Sequence, residues 1–327
     1  MHRPGRQQPE SCADFDDPAA LARLVSTHGR ESAARTCAPA PDVYDGSVTS
    51  PSALRIATAQ VMISDDARRN GPVIRRLMRE AAEAGARLIL FPEGCLSGYA
   101  KEQIRDWDQV DWPAVEEELR QVAALAAELR LWVVLGSAHR LTAPHRPHNS
   151  LYVIADDGRV VDRYDKRYCS NTEILGYYTP GFTPTTFTVD GYRFGCAICI
   201  EINFPELFVE YERLGVDCLL LSAYPVNSVF EVKARAHAAM NNYWLAMATP
   251  AQTTALLNSE LISPDGTVLA RADATTELIV GELDRDAPEF DIALNKARPW
   301  RASARQGDIY RSRRVSDPRS DSPADFV

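Results

Sequence analysis

From residue 54 onward, short apolar segments alternate with longer segments whose apolar residues recur at helical spacing. Short apolar runs rich in branched side chains predict buried strands, and longer amphipathic runs predict helices. The first part of this region has a strand–helix–strand order, which predicts parallel strands with helices packed on them. Strands are predicted at 54–61, 87–91 and 131–136, and helices at 67–84 and 113–129.

The second part of the same region is richer in hairpin signals. Asp-Gly steps, which favour the tight turns of β-hairpins, occur at 157–158, 190–191 and 265–266. Strands and helices alternate around these turns, so we expect mixed sheets covered by helices, in one domain over 53–295. Strands are predicted at 150–155, 160–164, 185–189, 193–199, 218–222, 243–249, 256–263, 268–272 and 277–283, and helices at 205–214 and 229–242.

Two polar segments flank this domain. Residues 1–52 are broken by Pro, Asp and Ser, so we expect an N-terminal extension that is flexible or lies along the body. Residues 296–327 are basic and rich in Pro and Ser, and we expect a C-terminal arm that lies on a neighbour. No apolar run approaches the ~20 residues of a membrane-spanning helix, and the first residues lack the apolar stretch of a secretory signal.

Charge and cysteine content narrow the functional classes. The formal net charge of −9 and the isoelectric point of about 5.3 argue against a nucleic-acid partner. The seven cysteines lack metal-ligand spacing, and their odd number fits free thiols in a reducing compartment. We therefore expect a cytoplasmic protein with no membrane partner and no bound metal.

Three predicted strands run directly into a polar residue at their C-terminal ends: Glu93, Lys166 and Cys199. Each has an ordinary structural explanation when taken alone. The glutamate is suited to cap a turn, the lysine to lie in solvent, and the cysteine to pack as a small apolar residue, which is the usual role of a free buried cysteine. Their flanking sequences distinguish them from such isolated residues.

Those flanks resemble the nitrilase (carbon–nitrogen hydrolase) superfamily. Residues 91–99 have the pattern Phe-Pro-Glu followed by Gly-Tyr, residues 165–167 are Asp-Lys-Arg, and residues 198–206 read Ile-Cys-x-Glu-x-x-Phe-Pro-Glu. The resemblance covers roughly residues 54–310 and rests on three separate motifs. It implies an α/β fold, the four-layer α-β-β-α sandwich of this superfamily.

The resemblance also implies a catalytic triad. Cys199 corresponds to the nucleophile and Glu93 to the general base and acid. Lys166 and the backbone N–H of Ile200 correspond to the groups that stabilise the oxyanion. A thiolate is a strong enough nucleophile for an amide carbonyl, and we expect Cys199 to gain thiolate character from Lys166 and nearby N–H dipoles. This chemistry requires no cofactor.

One departure from the superfamily pattern follows the third strand. Many members have a second glutamate there, where this chain has His139. In one alternative His139 contacts substrate or handles protons, because its pKa lies near neutrality. In the other, His139 is an ordinary loop residue and another carboxylate, such as Glu173, fills the gap. We favour the second alternative.

The preferred function is hydrolysis of a small linear amide or N-carbamoyl compound with release of ammonia, in the amidase or N-carbamoyl amidohydrolase branch. Glu201 is more typical of nitrilases and motivates nitrile hydrolysis as an alternative. A third alternative, motivated by His139 and Asn241, is a degenerate member that acts as a binder or scaffold. The candidates for substrate binding are Tyr99, His139, Glu173, Glu201 and Tyr224.

The helices at 205–214 and 229–242 carry more apolar residues than one core-facing stripe needs, and exposed apolar patches often mark interfaces. We therefore expect at least a homodimer, with the C-terminal arm as a candidate strap across the partner. Asn241 stands where the superfamily commonly has glutamate, so the oligomer geometry is expected to be atypical. The apolar residues concerned are Phe208, Val209, Tyr211, Val229, Phe230 and Val232 on the helices, and Trp300, Ile309 and Tyr310 on the arm.

Overall fold

The structure of the protein is a computed structural model that describes residues 53–321. The extension predicted at 1–52 lies outside the described residues. In chain order the strands are β1 Ala53–Ala59, β2 Leu88–Leu90, β3 Trp132–His139, β4 His148–Ile154, β5 Val160–Asp165, β6 Thr186–Val189, β7 Tyr192–Ile198, β8 Cys218–Ser222, β9 Trp244–Ala248, β10 Glu260–Ile262, β11 Val268–Arg271 and β12 Leu278–Asp284.

Helices lie between these strands and after the last one. They are α1 Ala67–Glu83, α2 Trp112–Leu129, α3 Asn171–Gly176, α4 Pro205–Arg213, α5 Val229–Asn241, α6 Arg298–Gln306, α7 Asp308–Arg311 and α8 Pro318–Asp321. Short 3-10 turns occupy Trp107–Gln109, Cys199–Asn203, Ala251–Thr253 and Pro288–Phe290, and a π-helical turn occupies Ile292–Ala297. Within residues 53–321, no helix has the length and apolar character needed to cross a bilayer.

The strands form two six-stranded sheets of similar design. The first has the order β12-β1-β2-β3-β4-β5, with β1, β2 and β3 parallel and the outer strands antiparallel. The second has the order β11-β10-β9-β8-β7-β6, with β7, β8 and β9 parallel. Each sheet therefore places the C-terminal ends of its parallel strands along one edge, where side chains from different segments can meet.

Side-chain alternation along the strands divides the apolar residues between two clusters. On β2, Leu88 and Leu90 belong to a cluster that includes residues of both sheets, whereas Ile89 packs with α1 and α2. The first cluster continues beneath α4 and α5 through Phe208 and Phe230. Helix, sheet, sheet and helix therefore form successive layers, and the prediction of a four-layer α-β-β-α sandwich is confirmed.

The orientation of α4 differs from the prediction of an apolar outer face. Phe208 and Tyr211 are fully buried, and the Tyr211 hydroxyl donates to the Cys196 carbonyl at 2.5 Å. Phe230 on α5 is buried as well, at 1% exposure. These three residues belong to the core because the second sheet needs a wide apolar cover. Val229 and Val232 do lie on the surface, at 49% and 67% exposure.

The C-terminal arm packs on the end of α5 in the same chain. Arg301 on α6 donates to the Ala239 carbonyl at 2.7 Å and to the Asn242 side chain at 2.8 Å. Arg305 donates to the Asn241 side chain at 3.0 Å. Cationic side chains stabilise the carbonyl end of a helix, so Asn241 accepts an arm arginine at the position where the superfamily commonly has glutamate.

Candidate active site

Glu93 lies in a turn just after β2 and is completely buried. Its Oε1 accepts hydrogen bonds from Lys166 Nζ at 2.9 Å and from Asn149 Nδ2 at 2.7 Å. Its Oε2 accepts one from the Tyr224 backbone N–H at 2.9 Å. The turn fits against β3 because Gly136 has no side chain: a Cβ atom there would lie 2.1 Å from the Pro92 carbonyl oxygen.

Lys166 follows β5 directly and is 1% exposed. Besides Glu93, its Nζ contacts Glu173 Oε1 at 2.8 Å and Oε2 at 3.1 Å. Burial alone would lower the pKa of Lys166, but the two carboxylates hold it well above its ordinary value. The lysine therefore stays cationic between two glutamates that come from separate parts of the chain.

Glu173 is held by α3, a short helix that begins after Ser170. The Ser170 hydroxyl caps the helix through the Glu173 N–H, and the Ser170 N–H donates to Glu173 Oε2 at 2.7 Å. Tyr99 donates its hydroxyl to Glu173 Oε1 at 3.0 Å. Burial favours the neutral acid, but Lys166 and Ser170 overcome it and lower the pKa of Glu173 to about 2. The Ser-x-x-Glu pattern at 170–173 is the sequence signal of this capping box.

Cys199 directly follows β7 and opens a 3-10 turn. Its backbone φ of 50° lies in the left-handed region, which costs a non-glycine residue roughly 1–2 kcal/mol and is typical of functional turns. The thiol is 5% exposed and donates to the Tyr224 carbonyl at 3.5 Å. The backbone of Tyr224 therefore contacts two residues of the cluster: its N–H donates to Glu93, and its carbonyl accepts from the Cys199 thiol.

Electrostatics keep the Cys199 thiol protonated in the resting site. Burial and then the Glu93 charge raise the pKa of Cys199 well above its ordinary value, and Lys166 only partly opposes them. Lys166 favours the thiolate as expected, but burial and then the charge of Glu93 outweigh it, so the thiolate expectation stays a prediction for the substrate-bound site. Burial also raises the pKa of Glu93, against the stabilising effect of Lys166.

A pair of aromatic rings borders this cluster. The rings of Tyr99 and Tyr224 stack with centroids 4.9 Å apart, and Gln103 donates to the Tyr224 hydroxyl at 3.1 Å. Tyr178, also buried, accepts from the Ala100 N–H at 3.1 Å. The predicted candidates Tyr99, Glu173 and Tyr224 thus lie beside Glu93, Lys166 and Cys199, whereas His139 and Glu201 have other partners.

A family model described as carbon-nitrogen hydrolase matches residues 55–289, which include every residue of this cluster. The chain belongs to the carbon–nitrogen hydrolase family. The predicted superfamily and enzyme class are therefore confirmed.

Curated relatives and solved structures agree with this assignment. The chloroplastic omega-amidase of Arabidopsis thaliana is 26% identical, with 78% of this chain and 73% of that protein aligned. Omega-amidase NIT2 of Homo sapiens is 25% identical, with 70% of this chain and 88% of that protein aligned. The crystal structure of an amidase from Nesterenkonia sp. has a TM-score of 0.64 at 22% identity and covers 76% of this carbon–nitrogen hydrolase and 96% of that chain. The structural similarity supports the shared fold.

His139 lies at the end of β3 and contacts strand residues instead of the Lys166 cluster. Its Nδ1 lies 2.6 Å from the Tyr152 hydroxyl and its Nε2 2.7 Å from Arg163 Nη1. Arginine can only donate, so Nε2 is the acceptor and the ring is neutral. Burial and then Arg163 lower the pKa of His139. Both ring nitrogens are engaged within the sheet, which favours the alternative in which Glu173, and not His139, contacts Lys166.

Glu201 is also buried, but it organises the backbone. Its oxygens accept from the N–H groups of Ile198, Arg167 and Tyr168 at 2.7, 2.7 and 3.0 Å, and from the Tyr164 hydroxyl at 2.8 and 2.9 Å. Burial raises the pKa of Glu201, although these donors favour its ionised form. The Glu201 oxygens tie the Cys199 turn to the segment after Lys166, so these contacts favour a structural role over the predicted substrate contact.

The described residues also bear on metal binding. Among residues 53–321, no group of three or more His, Cys, Asp or Glu side chains is arranged to hold a metal ion. The cluster around Lys166 contains an ammonium group between its carboxylates, which occupies the position that a cation would need.

Replacing Glu201 by Gln should destabilise this carbon–nitrogen hydrolase by about 2–3 kcal/mol, because the amide NH₂ would face backbone N–H donors and the charge would be lost. Urea unfolding followed by circular dichroism measures the change. Glu206→Gln, an exposed neighbour on α4, should stay within about 0.5 kcal/mol of the parent. Equal unfolding midpoints for the Glu201 variant and the parent would contradict the structural role.

Proposed function

We propose that this chain hydrolyses the C–N bond of a small linear amide through a thioester on Cys199. The observation that carries the proposal is the buried cluster in which Lys166 joins Glu93 and Glu173 next to that thiol. Residues with strongly shifted pKa values that share one buried cluster are candidates for catalysis. In this reaction Cys199 is the nucleophile, Glu93 the proton carrier and Lys166 the oxyanion partner.

In the first step, Glu93 accepts the Cys199 proton as the sulfur attacks the amide carbonyl carbon. The raised pKa of Glu93 makes the carboxylate a better base than an ordinary glutamate. Because the pKa of Cys199 is raised too, proton transfer accompanies the attack and no stable thiolate precedes it. Tyr224 aids this step by fixing both groups through its backbone.

The carbonyl oxygen becomes negatively charged as the C–S bond forms. Lys166 remains cationic over the whole range in which Glu93 titrates, and it is positioned to stabilise this charge. Ile200 supplies a backbone N–H at the start of the 3-10 turn, where the first N–H groups have no acceptor within the helix. The positive φ of Cys199 lies at the start of this turn.

Collapse of the tetrahedral intermediate breaks the C–N bond. Glu93 returns its proton to the nitrogen, and ammonia leaves while the acyl group stays on sulfur as a thioester. Glu93 then accepts a proton from water as the water oxygen attacks the thioester carbon. The C–S bond breaks, the thiol regains its proton from Glu93, and the carboxylic acid product is released.

The substrate class follows from the relatives and from the aromatic wall. Omega-amidases among the relatives carry a name that refers to a terminal amide, and we extend that substrate class, a primary amide at the end of a short chain, to this protein. Tyr99 and Tyr224 border the cluster with stacked rings, which suits a narrow linear substrate. N-carbamoyl compounds present the same carbonyl with a terminal NH₂ and form the second substrate class.

The residues that motivated the two alternative functions have structural partners that account for them. Nitrile hydrolysis rested on Glu201, whose oxygens are engaged by backbone donors. The binder or scaffold hypothesis rested on His139 and Asn241, and both have structural partners away from Lys166. Both alternatives remain outcomes of the experiments below.

Acid-quenched turnover of a short primary amide should leave an acyl group on Cys199, seen by peptide mass spectrometry. Cys169 is the internal control, because its thiol lies near the Lys166 backbone carbonyl, at 4.0 Å, but outside the contact with Tyr224 that places Cys199 beside Glu93. Cys199→Ala should abolish ammonia release and leave the unfolding midpoint close to that of the parent. An adduct on Cys169 alone, or full activity without Cys199, would refute the assignment. Turnover of a matched nitrile but not of the amide would favour the nitrilase alternative.

The pH profile tests Glu93. Activity requires its ionised form, so kcat/KM should fall as the pH drops through the raised pKa of Glu93, above the usual glutamate value of about 4.3. Asn149 donates to Glu93 and lowers its pKa, so Asn149→Ala should move the acid limb to higher pH. Asn295→Ala, an exposed control, should leave the limb in place. A shift to lower pH in the Asn149 variant would exclude Glu93 as the titrating base.

We further propose a cytoplasmic homodimer. The five cysteines within 53–321 are all free, which suits a reducing compartment. Exposed apolar side chains lie on α5 and on the arm that packs against its end: Val229 at 49%, Val232 at 67%, Met240 at 58%, Trp300 at 59% and Tyr310 at 57%. An apolar surface of this kind fits a second copy of the chain better than water.

Light scattering at micromolar concentration should therefore give about twice the 36.2 kDa mass of one chain. Val232→Asp should shift the protein toward monomer, because a charge would be buried in the interface. Met62→Asp is the matched control, since Met62 is 64% exposed and lies outside this surface. A monomeric parent protein would contradict the proposal.

A further inference from the structure

A second site is suggested by a cavity that Gly176 and Tyr177, at the end of α3, help to line. Its volume is about 380 Å³, and its wall comes from residues 105–108, 112, 140–141, 143–147 and 176–177. None of Glu93, Lys166 or Cys199 lines it. A volume of this size falls within the range that small-molecule sites occupy.

Two indole rings form an apolar part of this wall. Trp107 and Trp112 stack with ring centroids 5.9 Å apart and an interplanar angle of 27°. Trp107 donates from Nε1 to the Tyr177 carbonyl at 2.8 Å, which fixes its plane. Trp112 is 8% exposed and begins α2. An aromatic ligand gains from such a surface, because offset ring contacts add to area burial.

The rim carries cations without carboxylate partners. Arg105, Arg140 and Arg146 line the cavity, and within residues 53–321 none of them forms an ion pair. The Arg140 guanidinium lies 5.6 Å from the Trp112 ring centroid, and Arg146 donates one N–H to the Leu175 carbonyl at 2.8 Å. Both retain free donors in a planar arrangement that matches a carboxylate.

Two acids reduce this positive charge without removing it. Asp106 and Asp108 also line the cavity, and Asp106 caps the N–H of Asp108 at 3.0 Å. Three arginines against two aspartates leave one positive charge in excess. One excess charge matches a single carboxylate, and a phosphate dianion would meet the two aspartates at a cost.

We propose that this cavity binds an aromatic carboxylate, with the ring against Trp107 and the carboxylate between Arg105 and Arg140. The site is separate from the proposed active site and does not require turnover there. It adjoins α3 through Tyr177, whose N–H donates to the Glu173 carbonyl at 2.8 Å while its own carbonyl accepts from Trp107.

Benzoate added to the full-length protein should change tryptophan fluorescence in a saturable way, because two of the five tryptophans line the cavity. Arg140→Ala and Arg105→Ala should each weaken binding by about tenfold or more, the loss expected for a charge-assisted hydrogen bond. Both side chains are exposed, so the fold should persist. Arg159→Ala is the control: its side chain is 76% exposed and lies in the β4–β5 turn.

A second set of binding measurements varies the ligand. Acetophenone, which has the ring without the charge, and cyclohexanecarboxylate, which has the charge without the aromatic ring, should both bind more weakly than benzoate. Equal benzoate affinity in the parent and both arginine variants would overturn the proposal, because binding would then occur elsewhere, including at the active site. Absence of saturation, or tighter binding of phenyl phosphate than benzoate, would overturn it as well.

Discussion

The buried ammonium group of Lys166 is the interaction on which the rest of the active-site region depends. Transfer of one charge into the interior costs several kcal/mol unless partners compensate it. Here Glu93 from the end of β2 and Glu173 from α3 both contact Nζ, at 2.9 and 2.8 Å. The end of β2 is thereby joined to the segment from Lys166 to Glu173, which lies far from it in sequence. Burial raises the pKa values of Glu93 and Cys199, and the neighbouring carboxylate charges add to this effect while Lys166 opposes it.

The two glutamates beside this ammonium have opposite proton affinities, and their other contacts explain why. Glu173 also accepts from Tyr99 and from the Ser170 N–H, and its pKa falls to about 2. Within residues 53–321, Glu93 has no such pair of donors from a helix start and a tyrosine hydroxyl, and burial raises its pKa in spite of Lys166. Environments that push two acids apart in this way separate a permanent charge from a proton carrier. Glu173 therefore suits the positioning of Lys166, and Glu93 suits the transfer of protons.

Much of this arrangement could be predicted from the sequence because it depends on local pattern. The motifs around Glu93, Lys166 and Cys199 resemble those of the superfamily, and it was this resemblance that implied which residues meet. The Asp-Gly turns indicated the mixed sheets. The outward or inward direction of side chains on α4 could not be predicted, since Phe208 and Tyr211 fit either face by composition. The partners of His139 and Glu201 depend on strands and turns distant in sequence, and no spacing rule reveals them. The Ser-x-x-Glu pattern at 170–173 is a local signal for a helix start, but no helix was predicted there.

The segment from Ser170 to Tyr178 extends from the Lys166 cluster, which Glu173 contacts, to the cavity that Tyr177 lines. Its first turn carries Glu173 and so bears on Lys166, while its last residues contact Trp107 and Ala100. The loop that holds Tyr99 therefore rests on this segment at both ends. A change in the position of Tyr177 would alter the support of Glu173, because the Tyr177 N–H binds the Glu173 carbonyl at 2.8 Å. The position of Glu173 beside Lys166 thus depends on the whole segment, through its contacts with Trp107 and Ala100.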